Sequence, residues 1–411
     1  AGPEPAGYRI YRNGTLIGTT KDTVFNDTGL EPGTEYRYEV KAYSASGSSS
    51  LASNEIRFKT NAAAAGAGPH RAFPQHSVYA GGTIKPSHVT QAQMDATVAR
   101  LYDEWKAKYV KKQPYLKASE PAQYYVWYAD GDWFEKEHDE ALGVDYDATT
   151  VSEAHGYGML ITALMAGHDP EAKTVFDGMY RYFRAHPSTV NPQLMAWKQG
   201  DTGRAIVDVD GTDSATDGDM DIAYALLLAD SQWGSEGEID YLAEAKKVID
   251  AIMQNEVNHA DWTLKLGDWA DDNDPKYGSA TRPSDFMLQH LKDFRIVSGD
   301  ANWDRVIDRT YAIVNEIYQG YSPNAGLLPD FVTKSGSQYA PAAPGFLESD
   351  TDGDYSYNSS RTPWRIGTDA LVTGDKRAKG LLLNQSRWIR ALTHDDPGGI
   401  RAGYKLDVSK P

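Results

Sequence analysis

Three stretches of this 411-residue chain concentrate acids where they could do chemistry. Glu153 stands at a loop-to-helix junction in ATTVSEAHGYGMLITALMAG, followed by His155, Gly156, Tyr157 and Gly158. Apolar and aromatic neighbours raise a carboxyl pKa, which suits a general acid, and the two glycines let another chain or a sugar approach the backbone. The plainer reading is a charge favoured at a helix N-terminus. Asp217, Asp219 and Asp221 open the apolar run of DSATDGDMDIAYALLLADSQW, where Thr216 or Asp217 could equally cap a helix. Glu348, Asp350, Asp352 and Asp354 fall within seven residues of FLESDTDGDYSYNSSRTPWR. That stretch reads as a metal loop, a solvated turn or a catalytic carboxylate. Neither DVDGTD nor DTDGD completes D-x-[DN]-x-[DN]-G-x5-E, so calcium is disfavoured and no metal ligand is assigned.

The elements that must position these acids divide into two unequal parts. Residues 1–60 read as β structure: GYRIYRNGTLIGTT alternates around Asn13-Gly14, a strong hairpin signal, and TEYRYEVKAYSASG and NEIRFKT supply further strands. These segments resemble a fibronectin type III module, an all-β sandwich, that lacks its first two strands. NAAAAGAGP reads as a linker at 61–70. From about residue 71 the pattern turns helical. VTQAQMDATVARLYDEWKAKYV opens at a Thr90 cap, and further helices are predicted at 151–167, 170–185, 217–231, 239–257, 283–298, 302–319, 366–373 and 376–393, with no β-α alternation. Long polar loops rich in aromatics separate these helices, the kind that carry function on a rigid scaffold.

SEAHGYGM, ATDGDMDIAYALLLADSQW and SSRTPWR, in that order along the chain, resemble three motifs of glycoside hydrolase family 8. The resemblance covers residues 71–411 and implies an all-α (α/α)6 barrel with an open cleft for a polysaccharide. It implies hydrolysis with inversion, with Glu153 as general acid, Asp217 holding the sugar at the cleavage point, and Arg361 and Trp364 matching the tail motif. In many members an Asp just upstream of R-x-P-W-R is the general base. Here that position is Asn358, whose amide cannot take a proton from water. A subgroup replaces that Asp by a Glu on an inserted loop, which points to Glu348, ten positions upstream, with Asn358 positioning the water. The resemblance also favours Trp197 and Trp269 as sugar platforms; YYVWYADGDWF (124–134) is a third aromatic candidate. Twelve helices are needed to close such a barrel and nine are predicted, so the parent protein is expected to continue past Pro411.

Composition bounds the partners. The formal net charge of −17 disfavours nucleic acid and anionic membrane surfaces, and the absence of cysteine excludes disulfides and thiolate chemistry. No apolar run reaches the length of a membrane span. Acid-rich loops such as ADGD, EKEHDE, DWADDND and ESDTDGD would attract a cationic polymer. Members of the subgroup with the loop Glu are largely chitosanases, some also cleaving mixed-linkage β-glucan, so the resemblance implies an endo-chitosanase, expected to be secreted, monomeric and cofactor-independent. The alternatives are an endoglucanase or licheninase of the same fold that cuts β-1,3-1,4-glucan, and a non-catalytic carbohydrate-binding protein.

Overall fold

The computed structural model describes residues 5–21, 25, 27, 35–46, 48–59, 68–77, 79–81, 85–128 and 136–408. Near the N-terminus, β1 (Gly7–Arg12), β2 (Thr15–Thr20), β3 (Glu35–Tyr43) and β4 (Ile56–Lys59) form one antiparallel sheet in the order β2-β1-β3-β4. Asn13 and Gly14 turn the first hairpin with φ of 50° and 82°, the two left-handed positions of a type I′ turn. The fibronectin-like reading calls for a second packed sheet, and these strands supply one layer. Most of the segment read as a linker, 61–67, lies outside the described residues, as do Trp133 and Phe134 of the third aromatic candidate.

Nine α-helices follow: α1 (Gln91–Tyr109), α2 (Ser152–Leu164), α3 (Ala172–Ala185), α4 (Thr216–Trp233), α5 (Tyr241–Asn255), α6 (Leu288–Ser298), α7 (Asn302–Tyr321), α8 (Thr362–Thr373) and α9 (Lys376–Thr393). They coincide with the nine predicted from apolar periodicity. Thr90 and Gln93 form a reciprocal capping box at the start of α1. Helices α2, α4, α6 and α8 pack side by side, and each carries the next helix, α3, α5, α7 and α9, against it. This is an inner row backed by an outer row. The inner α4 is buried nearly all round, as a helix wrapped by others must be. Gly156 sits where α2 meets α4: a Cβ there would stand 2.8 Å from the Asp221 Cβ and 3.0 Å from the Gly218 carbonyl. The chain that this glycine admits is the protein's own fourth helix.

The helical part also contains strands that periodicity did not predict. β7 (Glu137–Asp139), β8 (Val144–Val151), β9 (Lys198–Asp201) and β10 (Ile206–Asp208) make an antiparallel sheet; β5 (Val110–Lys112) pairs with β6 (Tyr124–Val126), and β11 (Val332–Ser335) with β12 (Gln338–Pro341). Most are three or four residues long, too short for an alternation to register. Their pairing is set by the scaffold around them. Among the described residues there are nine helices, not twelve: four in the inner row, four in the outer row, and α1. A cavity of about 770 Å³, walled by aromatic and aliphatic side chains of α1, α2, α4 and α8, opens between α8 and α2. No helix among the described residues is long and apolar enough to cross a membrane.

Candidate active site

Strand β8 runs without a break into α2, so its last residue, Val151, delivers Ser152 and Glu153 directly from a hydrogen-bonded ladder into a helix. The Ser152 N–H donates to the Trp197 carbonyl at 2.8 Å, which fixes the residue before β9 beside the helix start. Glu153 is in the first turn of α2. Arg361 grips its carboxyl with two donors, Nε to Oε1 at 3.0 Å and Nη2 to Oε2 at 3.1 Å, and the Tyr157 hydroxyl donates to Oε1 at 3.0 Å. Burial and the nearby Asp217 charge raise the Glu153 pKa, while Arg361, Arg282 and Tyr157 act against them. The balance is upward, which favours a protonated carboxyl.

Asp217 lies in the first turn of α4 and is buried. It is not the N-cap. Ala215 occupies that place without a side-chain cap, and the Thr216 hydroxyl donates to the Lys265 carbonyl instead. Asp217 accepts the Gly218 N–H at 2.9 Å and faces the Arg282 guanidinium at 3.6 Å. The other two acids of this helix face elsewhere. Asp219 accepts the Met195 N–H in the interior, and Asp221 is clamped by Arg365 at 2.6 and 2.9 Å and by His290 at 2.9 Å. Only one carboxylate of the three is offered to the site. His155, next to the candidate acid, is a core residue: its Nε2 pairs with the Met179 carbonyl at 2.9 Å, and burial pushes its pKa down to about 4.

The acid-rich loop sorts its own members. Buried Asp352 turns back on the chain and accepts the N–H groups of Leu347, Glu348 and Ser349 at 2.7, 3.1 and 2.8 Å. Asp354 pairs with Lys405 at 2.5 Å, and Asp350 is exposed. Glu348 is the acid this turn presents, 45% exposed at its side chain. Its Oε2 accepts from Asn358 Nδ2 at 2.8 Å, and Asn358 Oδ1 accepts from Arg361 Nη1 at 2.9 Å. Glu153, Arg361, Asn358 and Glu348 therefore form one continuous chain of contacts across 195 positions of sequence, 348 minus 153. Asp330, buried just before β11, accepts from the N–H groups of Ser356 and Ser359 and from the Ser359 hydroxyl, and so fixes the turn that carries Asn358 and Arg361.

Trp197 is half-buried, with its indole N–H donating to the Asp210 carbonyl at 3.0 Å and Lys198 Nζ 5.7 Å from its ring. Trp269 is also half-buried; it meets Tyr277 edge-on at 5.0 Å, and Tyr277 lies 5.4 Å from Phe346, two residues before Glu348. Trp269 thus belongs to an aromatic wall that backs the acidic loop. Trp364 is half-exposed beside Tyr157 at 5.8 Å. Sequence reasoning missed Arg282, Asp285, Tyr157 and Arg365. The first two sit in ATRPSDF, which periodicity assigns to the start of a helix; the chain makes a 3-10 turn at Pro283–Asp285 first. Burial raises the Asp285 pKa to about 7, with Arg282 opposing and Asp217 reinforcing. No group of three or more metal-ligating side chains occurs among the described residues.

Residues 142–396 match the profile of glycosyl hydrolases family 8. The chain is 53% identical to the beta-glucanase of Niallia circulans over 342 residues, 83% of this chain and 77% of that one. It is 41% identical to an endoglucanase of Bacillus sp. (strain KSM-330) over 336 residues, 82% and 68% of the two chains. The apo structure of a beta-1,3-1,4-glucanase from Paenibacillus sp. X4 superposes with a TM-score of 0.74 at 52% identity, covering 84% of each chain.

Proposed function

The chain belongs to glycosyl hydrolases family 8, whose catalytic domain is an (α/α)6 barrel, and from that premise we propose that it cleaves mixed-linkage β-1,3-1,4-glucan internally, with inversion. The contact chain from Glu153 through Arg361 and Asn358 to Glu348 carries this reading. Protonated Glu153 donates to the glycosidic oxygen as the bond to the anomeric carbon breaks. Ionised Glu348 takes a proton from a water that attacks that carbon from the opposite face. Inversion needs room for that water between carboxyl groups about 6.5–9.5 Å apart. Asp217, buried beside both, holds the sugar at the cleavage point. Asn358 keeps the base oriented, its own carbonyl oxygen being occupied by Arg361. Trp197 and Trp269 stack sugars on either part of the cleft. The substrate is too large to import, so the enzyme works outside the cell.

Glucan is preferred here to chitosan for two reasons. The named relatives are glucanases. Among the described residues, the loop acids that would attract a cationic polymer are also largely engaged within the protein; Asp130, Asp132 and Glu135 lie outside those residues. Lys198 pairs with Glu137 at 2.5 Å, Lys265 with Asp272 at 2.8 Å and Lys405 with Asp354, while Asp139 accepts backbone N–H groups. Reducing-sugar release from mixed-linkage glucan, carboxymethylcellulose and chitosan tests the substrate, and product anomers read by NMR test inversion. Glu153→Gln and Glu348→Gln are each expected to lose about 10²–10⁴-fold in kcat. Full activity in Glu348→Gln would move the base to another residue, and glycan binding without product release would leave a binding protein.

A further inference from the structure

We propose that Arg282 is a positioning residue for this reaction, its guanidinium fixing the carboxylates of Asp217 and Glu348 relative to one another. The inference rests on the reading of Glu348 as the base. Arg282 stands between α4 and the acidic loop, 13% exposed at its side chain. Nη2 is 3.6 Å from Asp217 Oδ1, Nη1 is 3.8 Å from Glu348 Oε1, and Nε is 3.4 Å from Asp285 Oδ1. Its backbone is anchored from behind, because Thr281 and Val332 exchange both backbone hydrogen bonds at 2.9 and 2.8 Å. The Phe331 ring lies 6.0 Å from the guanidinium carbon.

The spacing distinguishes Arg282 from a structural arginine. Arg365 closes on Asp221 at 2.6 and 2.9 Å and makes hydrogen bonds. All three partners of Arg282 stand beyond ordinary hydrogen-bond length; the buried Nε of each of the two arginines lacks an acceptor, so the difference lies in the terminal nitrogens. A guanidinium with no close hydrogen bond to its carboxylate partners gains less stability than a clamped one, so this arrangement is poorly explained by stability alone. A charge held equidistant from two carboxylates on different elements sets where both can sit. Asp217 comes from α4 and Glu348 from the loop after β12. Arg282 is the group that touches both, and Arg361 holds the other end of the site at Glu153.

Arg282→Gln and Arg282→Lys, assayed with Glu348→Gln on mixed-linkage glucan, test this. The groups facing Glu153 are the charged Asp217 on α4, Arg361 and Arg282, and the neutral Tyr157 hydroxyl on its own helix, which donates to it. Removing Arg282 lets the Glu153 pKa rise further, so the alkaline limb of kcat/KM moves to higher pH. Arg282→Gln is expected to lower kcat about 100-fold with KM little changed. Arg282→Lys keeps the charge without the fork; its alkaline limb stays at the native position and part of kcat returns. A folded Arg282→Gln with native kcat and an unmoved limb overturns the proposal. If Arg282→Gln does not fold, Arg282→Lys decides: native kcat shows that the fork is not needed and overturns it, while reduced kcat with an unmoved limb supports it. Activity retained in Glu348→Gln refutes the base assignment and with it the premise of this proposal, whereas an inactive Glu348→Gln beside a native Arg282→Gln refutes the positioning role alone.

Discussion

Asn358 is where a single residue says most about the chemistry. Its amide joins Glu348 to Arg361, donating to one and accepting from the other. The resemblance to family 8 places an Asp at this point in many members, and the side chain here lies within hydrogen-bond distance of Glu348, the base proposed in its stead. A carboxylate at 358 would sit against Glu348 and repel it. Asn358→Asp alone is therefore expected to lower kcat about tenfold, a loss of roughly 1.4 kcal/mol in transition-state stabilisation. In a Glu348→Gln background the same change supplies a carboxylate already paired with Arg361, and activity should partly return. Steady-state kinetics on the single and double variants check this. A double variant as inactive as Glu348→Gln would show that position 358 cannot host a base in this cleft.

At the scale of elements, the junction of α4 and α5 holds acids that the chemistry does not use. Asp219 in α4 and Glu256 just after α5 are fully buried, and Ser214 donates to Glu256 at 2.6 Å. Burial raises both pKa values well above the ordinary range; for Glu256 the neighbouring Asp219 charge adds to this, and for Asp219 the charge of Asp268 does. A raised folded-state pKa gives stability that is full below the unfolded value near 4 and is lost as pH climbs toward the folded one. Glu256→Gln keeps the Ser214 bond and offers its amide to the Asp219 carboxyl that Glu256 faces. Thermal melts from pH 5 to 9 should fall less steeply for Glu256→Gln than for the native chain. An unchanged slope would show that the pair does not hold a proton. None of this was legible in the sequence, where Asp219 looked like one of three equivalent acids. The helices were legible because apolar residues recur at helical spacing over three or more turns or, in the nearly wholly buried α4, run almost unbroken. Glu153 and Asp217 could be named as candidates because the motifs that carry them are local, and Glu348 because the expected Asp is Asn358 and an acid-rich loop lies ten positions upstream. Arg282 and Asp330 were not, because their partners are distant in sequence and their own segments are irregular. The short strands escaped for a different reason, since three residues cannot show a period.

For the whole molecule, the deciding quantity is what the net charge of −17 does at the cleft. A field of this size attracts a cationic polymer over about one Debye length, some 10 Å at 0.1 M salt, and is screened to about 3 Å at 1 M. A neutral glucan feels none of it and binds through stacking on tryptophans and hydrogen bonds. Much of the acid near the site is also neutralised locally: Lys198, Lys265, Arg282 and Arg361 each sit among carboxylates at hydrogen-bond or ion-pair distance. The cleft is therefore less negative than the sequence around it. Hydrolysis of mixed-linkage glucan is expected to keep its kcat/KM within about twofold between 20 mM and 0.5 M sodium chloride. Any cleavage of chitosan should be slower and should fall steeply over the same range, because long-range attraction would be its main source of binding. Measuring both substrates across that series separates charge from fit. Chitosan cleavage that exceeds glucan cleavage at 0.5 M salt would mean that the subsites recognise the amino sugar itself, and the substrate preference would reverse.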